Sequence, residues 1–125
     1  MIAKAQKFWF TFFEQMKFHY DVTIEVTSFS EGDLDHFYRE RRHKEIAVYI
    51  ERQIRQGIFA PPEGTANPMR GKHSDYVYIK ELRAGIRIIY LPKKVDGATL
   101  MVLDTIGYRA DDEVYEEFRR RRSDT

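Results

Sequence analysis

The stretch that decides the fold reads Tyr78-Ile79-Lys80-Glu81-Leu82-Arg83-Ala84-Gly85-Ile86-Arg87-Ile88-Ile89-Tyr90. Two runs rich in apolar and aromatic residues flank Ala84-Gly85, and this pattern predicts a β-hairpin with strands near 76–83 and 86–92. Asp96-Gly97 marks a second turn, after which a third strand is expected near 98–107. Strands joined by such short turns predict an antiparallel sheet in the second half of the chain.

The first half of the chain predicts one more strand and a helical hairpin. Residues 21–28 alternate apolar and polar side chains, as a half-buried strand does. This strand must join the same sheet, because a lone strand leaves its backbone groups without partners. Residues 30–33 resemble a capping box that opens one helix, and a second helix over 43–57 has isoleucine at every fourth position and Gly57 at its C-cap.

A long loop and a final helix complete the predicted order. Residues 60–75 are rich in proline and glycine and predict a loop, whereas 111–122 begins with acids and ends in Arg119–Arg122, which suits the dipole of a helix. The predicted fold class is therefore α+β. It has a small, antiparallel-rich, twisted sheet of about four strands, with a helical hairpin packed on one face and a C-terminal helix. The other sheet face is expected to be open and basic.

Residues 1–21 are predicted to be an N-terminal extension, followed by a main domain over 22–125. A helix over roughly 3–17 would carry a broad aromatic face, built from Phe8, Trp9, Phe10, Phe12 and Phe13. The run is too short for a transmembrane helix and lacks the cleavage site of a signal peptide, so no membrane association is expected. Three surfaces could bury this aromatic face: the domain itself, a second copy of the chain in a homodimer, or a partner protein.

Composition sets further bounds. The 125 residues, with 42% hydrophobic and 33% charged, predict a soluble folded domain. The absence of cysteine excludes disulfides and fits a cytoplasmic setting, and four scattered histidines show no metal-ligand spacing, so we assign neither a metal nor a cofactor. Residues 66–109 hold eight basic against four acidic side chains, whereas 31–63 is nearly neutral. This asymmetry suggests an anionic partner, although a solvated basic face is also open.

Two motifs carry a resemblance to a known family. One is the hairpin over 79–90, and the other reads Gly107-Tyr108-Arg109-Ala110-Asp111-Asp112-Glu113-Val114-Tyr115. The first is similar to the second and third strands of the RelE family of toxins from bacterial type II toxin–antitoxin systems. The second is similar to the fourth strand of that family and its closing Gly-x-Arg…Val-Tyr pattern. The element order also resembles the family, over about residues 22–122.

The resemblance implies a ribosome-dependent endonuclease that cuts messenger RNA through the ribose 2′-OH and is held inactive by a cognate antitoxin. By this resemblance Arg87 stabilises the transition state, and Arg109 supports the phosphate or the leaving group. Tyr115 corresponds to a tyrosine that acts as base or stacks on a substrate base, and Lys80 to a lysine of the second strand. Arginine suits the charge of a phosphorane, since it is permanently charged and fork-shaped.

The chain departs from the family at Tyr78, where the best-known member has a second lysine. The general base is therefore open among Lys80, His73 and Tyr115. Single-stranded RNA stacks its bases on aromatic rings and places its phosphates on cations. The RNA-binding candidates are Arg70, Lys72, Arg83, Tyr78 and Tyr108.

Structural roles and other functions stay open for the same residues. Arg109 could pair with Asp111 or Asp112, Tyr115 could be plain core, and Arg119–Arg122 could be a solvated helix end or contact RNA or an acidic antitoxin. Two further functions fit this fold, because fold does not fix function. One is a ParE-type toxin that binds DNA gyrase without catalysis, and the other is an RNA-binding module that does not cleave.

Overall fold

The computed structural model describes residues 1–123, which form four α-helices and a five-stranded sheet. The elements in chain order are α1 (Ala3–Tyr20), β1 (Val22–Val26), α2 (Ser28–Arg39), α3 (His43–Gln56), β2 (Asn67–Pro68), β3 (Val77–Glu81), β4 (Ile86–Val95), β5 (Ala98–Tyr108) and α4 (Glu113–Ser123). Short 3₁₀ turns lie at Gly71–His73 and Ala110–Asp112. The α+β class is confirmed.

The sheet is mixed and has the order β1-β5-β4-β3-β2. Strands β3, β4 and β5 form the predicted antiparallel meander, and the predicted turn at Asp96-Gly97 has both residues at positive φ (51° and 83°). Strand β1, however, runs parallel to β5. The α2–α3 hairpin allows this, since parallel neighbours need a long crossover. The expectation of about four strands is also corrected, because Asn67–Pro68 in the predicted loop pairs with β3 at the sheet edge.

Helices α1, α2 and α3 cover one face of the sheet and share its main core. The stripe of α1 that packs there is Ala5, Trp9, Phe12 and Met16, all buried at the spacing of one helix face. The aromatic segment therefore packs against the domain itself, with Phe10 and Phe18 left exposed. A homodimer through this segment stays a prediction. None of the helices among residues 1–123 is long and apolar enough to cross a membrane.

Helix α2 begins earlier than the predicted capping box. The N-cap is Thr27, whose side-chain oxygen accepts a hydrogen bond from the Ser30 N–H at 3.1 Å, while the Thr27 N–H donates to Ser30 Oγ at 2.8 Å. Ser30 is thus the third helical residue and not the cap. The true box fits because a hydroxyl stands at both required positions. Asp33, which the prediction placed in the box, is therefore free to make contacts outside α2.

Helix α4 packs on the other face of the sheet, which corrects the expectation that this face is open. Val114 and Phe118 bury themselves against Ile89. A β-bulge lies beside Ile89 in the same part of the sheet. Tyr90 pairs with Leu103 and Ile89 with Thr105, so Asp104 is the extra residue of β5.

A buried ion pair fastens α4 to the opposite layer. The Arg121 guanidinium donates to both carboxylate oxygens of Asp33 at 2.7 and 2.8 Å, and to the Asp104 carbonyl at 3.0 Å. Asp33 also accepts the N–H of Ile106 at 3.0 Å, at the part of β5 beyond its pairing with β1. Arg122 donates to the Asp104 carboxylate at 2.6 Å. Two of the four C-terminal arginines are therefore structural, which corrects the view of a solvated helix end.

Replacing Arg121 with alanine should lower the free energy of unfolding by about 3 kcal/mol, because Asp33 would keep a largely buried charge without its partner. Arg120 is the matched control, since it pairs with Glu117 on the more exposed side of α4 and its replacement should cost less than about 1 kcal/mol. Urea denaturation followed by circular dichroism measures both. Equal losses in the two variants would contradict this role of Arg121.

Candidate functional site

A cationic cavity lies beside α4 on the sheet face away from α1–α3. Its volume is about 410 Å³, and residues from β3, the β3–β4 turn, β4, the β5–α4 junction and α4 surround it. The lining consists of Tyr78, Lys80, Leu82, Arg87, Arg109, Asp112 and Tyr115. The structure therefore brings together all four residues that the sequence nominated as catalytic.

Strand geometry explains this convergence. Side chains alternate along a strand, so Tyr78 and Lys80 share one face of β3, and Lys80 pairs directly with Arg87 on β4. Arg109 follows the end of β5 and is held to the β3–β4 turn by its N–H, which donates to the Gly85 carbonyl at 2.7 Å. Tyr115 lies in the first turn of α4. Strands β3 and β4, the β5–α4 junction and α4 therefore each contribute side chains to one small volume.

Arg87 is the central group of this cavity. It is only 3% exposed, although arginine is rarely buried without an acidic partner. Its Nε donates to the Tyr115 hydroxyl oxygen at 3.2 Å, and its Nη1 donates to the Ile86 carbonyl at 3.2 Å. Both acceptors are neutral. The guanidinium is thus fixed in orientation while its charge is left uncompensated by its hydrogen-bond partners.

The junction between β5 and α4 is closely built. Gly107 has no side chain, and an added Cβ would lie 3.3 Å from the Cβ of Val114, so the glycine lets α4 approach the strand. Asp111 and Asp112 both have positive φ, at 55° and 56°. Aspartate tolerates this left-handed region better than most residues, and such geometry concentrates at functional sites. Asp112 in particular lines the cavity.

A second cavity continues the first. Its volume is about 540 Å³, and Tyr78, Asp112 and Tyr115 line both cavities. Its other lining residues are Pro68, Met69, Arg70 and Arg119. We call the two together the cationic groove. Five cations surround it against one acid, since Asp112 is the single carboxylate among the lining residues.

Aromatic rings separate the two halves of the groove. The rings of Tyr78 and Tyr115 meet edge-to-face, with centroids 6.1 Å apart and an interplanar angle of 88°. Both side chains are half-buried. Rings next to cations suit the binding of single-stranded nucleic acid, since bases stack on rings and phosphates pair with cations.

Three of the RNA-binding candidates lie outside the groove. Lys72 and Arg83 are exposed and line neither cavity. Tyr108 lies on the opposite sheet face, because it alternates with Gly107 along β5. There it accepts a hydrogen bond from Arg42 Nη1 at 3.0 Å and donates to Glu40 at 2.9 Å. Burial, together with the hydrogen bond to Glu40, raises the pKa of Tyr108.

His73, one of three open candidates for the general base, is also outside the groove. Its ring packs edge-to-face on Phe118, with centroids 5.3 Å apart. It lines neither cavity, whereas Lys80 and Tyr115 do.

Sequence reasoning did not place five groove residues at the site, namely Pro68, Met69, Leu82, Asp112 and Arg119. One signal was present for Arg119, which stands four residues after Tyr115 and hence on the same side of α4. Leu82 and Asp112 belong to a turn and a 3₁₀ segment, where periodicity gives no direction to a side chain. Across residues 1–123 no group of three or more acidic or histidine side chains is arranged to hold a metal ion.

Comparison with known proteins adds no relative to this description. The chain matches no protein-family model, no curated protein and no solved structure. The class that the fold and site define is thus an α+β domain with a cationic, aromatic-lined groove.

Changing Tyr115 to phenylalanine should destabilise the protein by about 1–2 kcal/mol, because the buried Arg87 Nε–H would lose its acceptor. Tyr78 supplies a matched control, since its half-buried ring lines the same groove and the change to phenylalanine there should cost less than about 0.5 kcal/mol. Thermal and urea unfolding measure both variants. A Tyr115→Phe variant as stable as the wild type would show that this hydrogen bond is not needed to hold Arg87.

Proposed function

We propose that this protein is the toxin of a type II toxin–antitoxin module and cuts messenger RNA in the ribosome. The observation that carries the proposal is the convergence of Lys80, Arg87, Arg109 and Tyr115 on one cavity. They are the residues of the RelE-like motifs, and they come from separate elements of the fold. The parts of the proposal that concern the ribosome and the antitoxin rest on the sequence resemblance.

The proposed chemistry is transfer of the phosphodiester to the neighbouring ribose 2′-oxygen. The bond from phosphorus to the 2′-oxygen forms as the bond to the 5′-oxygen breaks. The 2′-OH proton passes to a base on the protein, and the leaving 5′-oxygen receives a proton. The products are a 2′,3′-cyclic phosphate and a 5′-hydroxyl. No oxidant, reductant or cofactor enters this balance.

Charge is the main contribution of the groove to this step. The phosphorane gains negative charge as it forms, and preorganised cations at such a position are commonly the largest catalytic effect. Arg87 suits this role because it is buried and held by two neutral acceptors. Arg109, which is exposed at the edge of the cavity, suits contact with the leaving group or an adjacent phosphate.

For the proton transfers we propose Lys80 and Tyr115, because His73 lies outside both cavities. The Tyr115 oxygen already accepts a hydrogen bond from Arg87, so its own O–H proton points elsewhere and is available to a substrate. Lys80 is exposed at the mouth. In this scheme Tyr78 stacks on a base, in place of the lysine that the family has there.

A second candidate function is RNA binding without cleavage. The edge-to-face pair of Tyr78 and Tyr115 favours it, since an aromatic platform beside cations binds single strands without any chemistry. The DNA gyrase alternative stays a prediction from the sequence. An antitoxin would, under the main proposal, cover the groove with an acidic segment.

Cleavage of a message during translation in a purified system tests the proposal. Wild-type protein should give cuts that follow the codon phase and end in a 2′,3′-cyclic phosphate, as read by primer extension and end analysis. Lys80→Ala and Arg109→Ala should each reduce the cleavage rate at least tenfold, through loss of a proton-transfer group or a phosphate contact.

The control is Lys93→Ala, an exposed lysine on β4 that lies outside the groove, and it should leave the rate unchanged. Binding of an uncleavable RNA should be measured in parallel. An uncut message together with tight RNA binding would favour the non-cleaving candidate. An uncut message without RNA binding would refute both candidates.

A further inference from the structure

A second basic cavity lies on the helical side of the molecule, away from the cationic groove. It has a volume of about 590 Å³ and lies between the start of α1 and the α2–α3 turn. Its lining includes the cations Lys4, Arg39, Arg41 and Lys44 and the rings of Tyr38 and His43, and it contains no acid. We call it the helical-side cavity.

The four cations of this cavity are exposed and lack partners. Within residues 1–123 none of their side chains makes a hydrogen bond or an ion pair. The acids next to this cavity already have partners of their own. Glu40 accepts from Tyr108, Glu45 pairs with Arg42, and Asp35 accepts from the N–H of Ile2. The segment over 31–63 is therefore nearly neutral in sequence, yet it contributes three cations and no acid to the lining of this cavity.

Helix α3 starts at this cavity and adds to its positive character. His43 is its first residue, and the N-cap Arg42 makes no side-chain cap, so the first N–H groups have no acceptor from that side chain. The N-terminus of a helix carries partial positive charge and favours phosphate. Arg41 at φ 60° shapes the turn that leads into it.

The ring of His43 packs against aromatic neighbours beside this cavity, with centroids 4.7 Å from Phe8 and 4.3 Å from Tyr38. Its Nδ1 is buried and has no hydrogen-bond partner within the described chain. Burial, and secondarily the charge of Lys44, lowers the pKa of His43, so the ring is held neutral beside the cations.

We propose that the helical-side cavity binds the phosphate backbone of a folded RNA. Four lysine and arginine side chains line this open cavity, which is more positive charge than a single phosphate requires. Such a set suits several consecutive phosphates of a nucleic-acid backbone. The inference rests on the proposed function only in choosing RNA as the polyanion. The helical-side cavity and the cationic groove lie on opposite sides of the sheet, so they hold different RNA segments, and a large RNA gains affinity from both.

The test uses the full chain and a folded RNA with 2′-O-methyl riboses, which cannot be cut through the 2′-oxygen. The variant is Lys4→Gln/Arg39→Gln/Lys44→Gln, and Arg41 is kept because of its positive φ. Fluorescence anisotropy at several salt concentrations should show at least tenfold weaker binding at about 0.1 M salt. The slope of log K against log salt should fall by about 2, because each lost phosphate contact removes about 0.7–0.9.

The control variant is Arg55→Gln/Lys93→Gln/Lys94→Gln, which removes the same charge from exposed positions elsewhere. It should change the affinity less than about threefold and keep the slope. Equal loss in both variants, or wild-type affinity and slope in the first, would overturn the proposal. So would a first variant that loses binding of inorganic phosphate but keeps RNA binding, since the cavity would then serve a small anion. No cleavage is measured, so these results stand apart from the outcome of the translation assay.

Discussion

The ion pair between Asp33 and Arg121 is the contact on which the arrangement of layers depends. One carboxylate on α2 accepts the guanidinium of α4 and the backbone N–H of Ile106 on β5. Burial alone would lower the pKa of Arg121, but the hydrogen bonds and charge of Asp33 outweigh burial and raise that pKa. Because α4 carries Tyr115 and Arg119 to the cationic groove, a pair at the far end of the helix sets the wall of the site.

Among residues 1–123 two arginines are buried, and their partners are of opposite kinds. Arg121 meets a carboxylate in a two-pronged contact, so its charge is matched within the fold. Arg87 meets a phenol oxygen and a carbonyl, so its orientation is fixed but its charge is not matched by those partners. A matched charge serves stability, whereas an unmatched and immobilised charge is ready for an anionic ligand. This contrast separates the structural arginine from the functional candidate more clearly than burial does.

Local patterns in the sequence predicted much of the fold, and the hairpin predicted around Ala84-Gly85 is the one that pairs Lys80 with Arg87. Contacts between distant parts of the chain were not predictable. The alternation of apolar and polar side chains predicts that β1 is a strand, but it does not indicate that β5 is its parallel partner. The partner of Asp33 lies 88 residues away, so a local capping box was the simpler interpretation. The helical-side cavity was hidden because acids and cations cancel along 31–63 in sequence, whereas the lining of the cavity contains the cations and no acid.

The parallel pairing of β1 with β5 has a consequence for how the protein is made. Strand β1 ends at Val26, and its partner β5 begins at Ala98, about 70 residues later. Because a ribosome adds roughly 5–20 residues per second, β1 is made well before its parallel partner exists. The sheet therefore closes only after β5 has been made, and Arg109 and Tyr115 follow β5 in the chain. The cationic groove cannot assemble on a nascent chain before α4 has been made, because α4 supplies part of its wall.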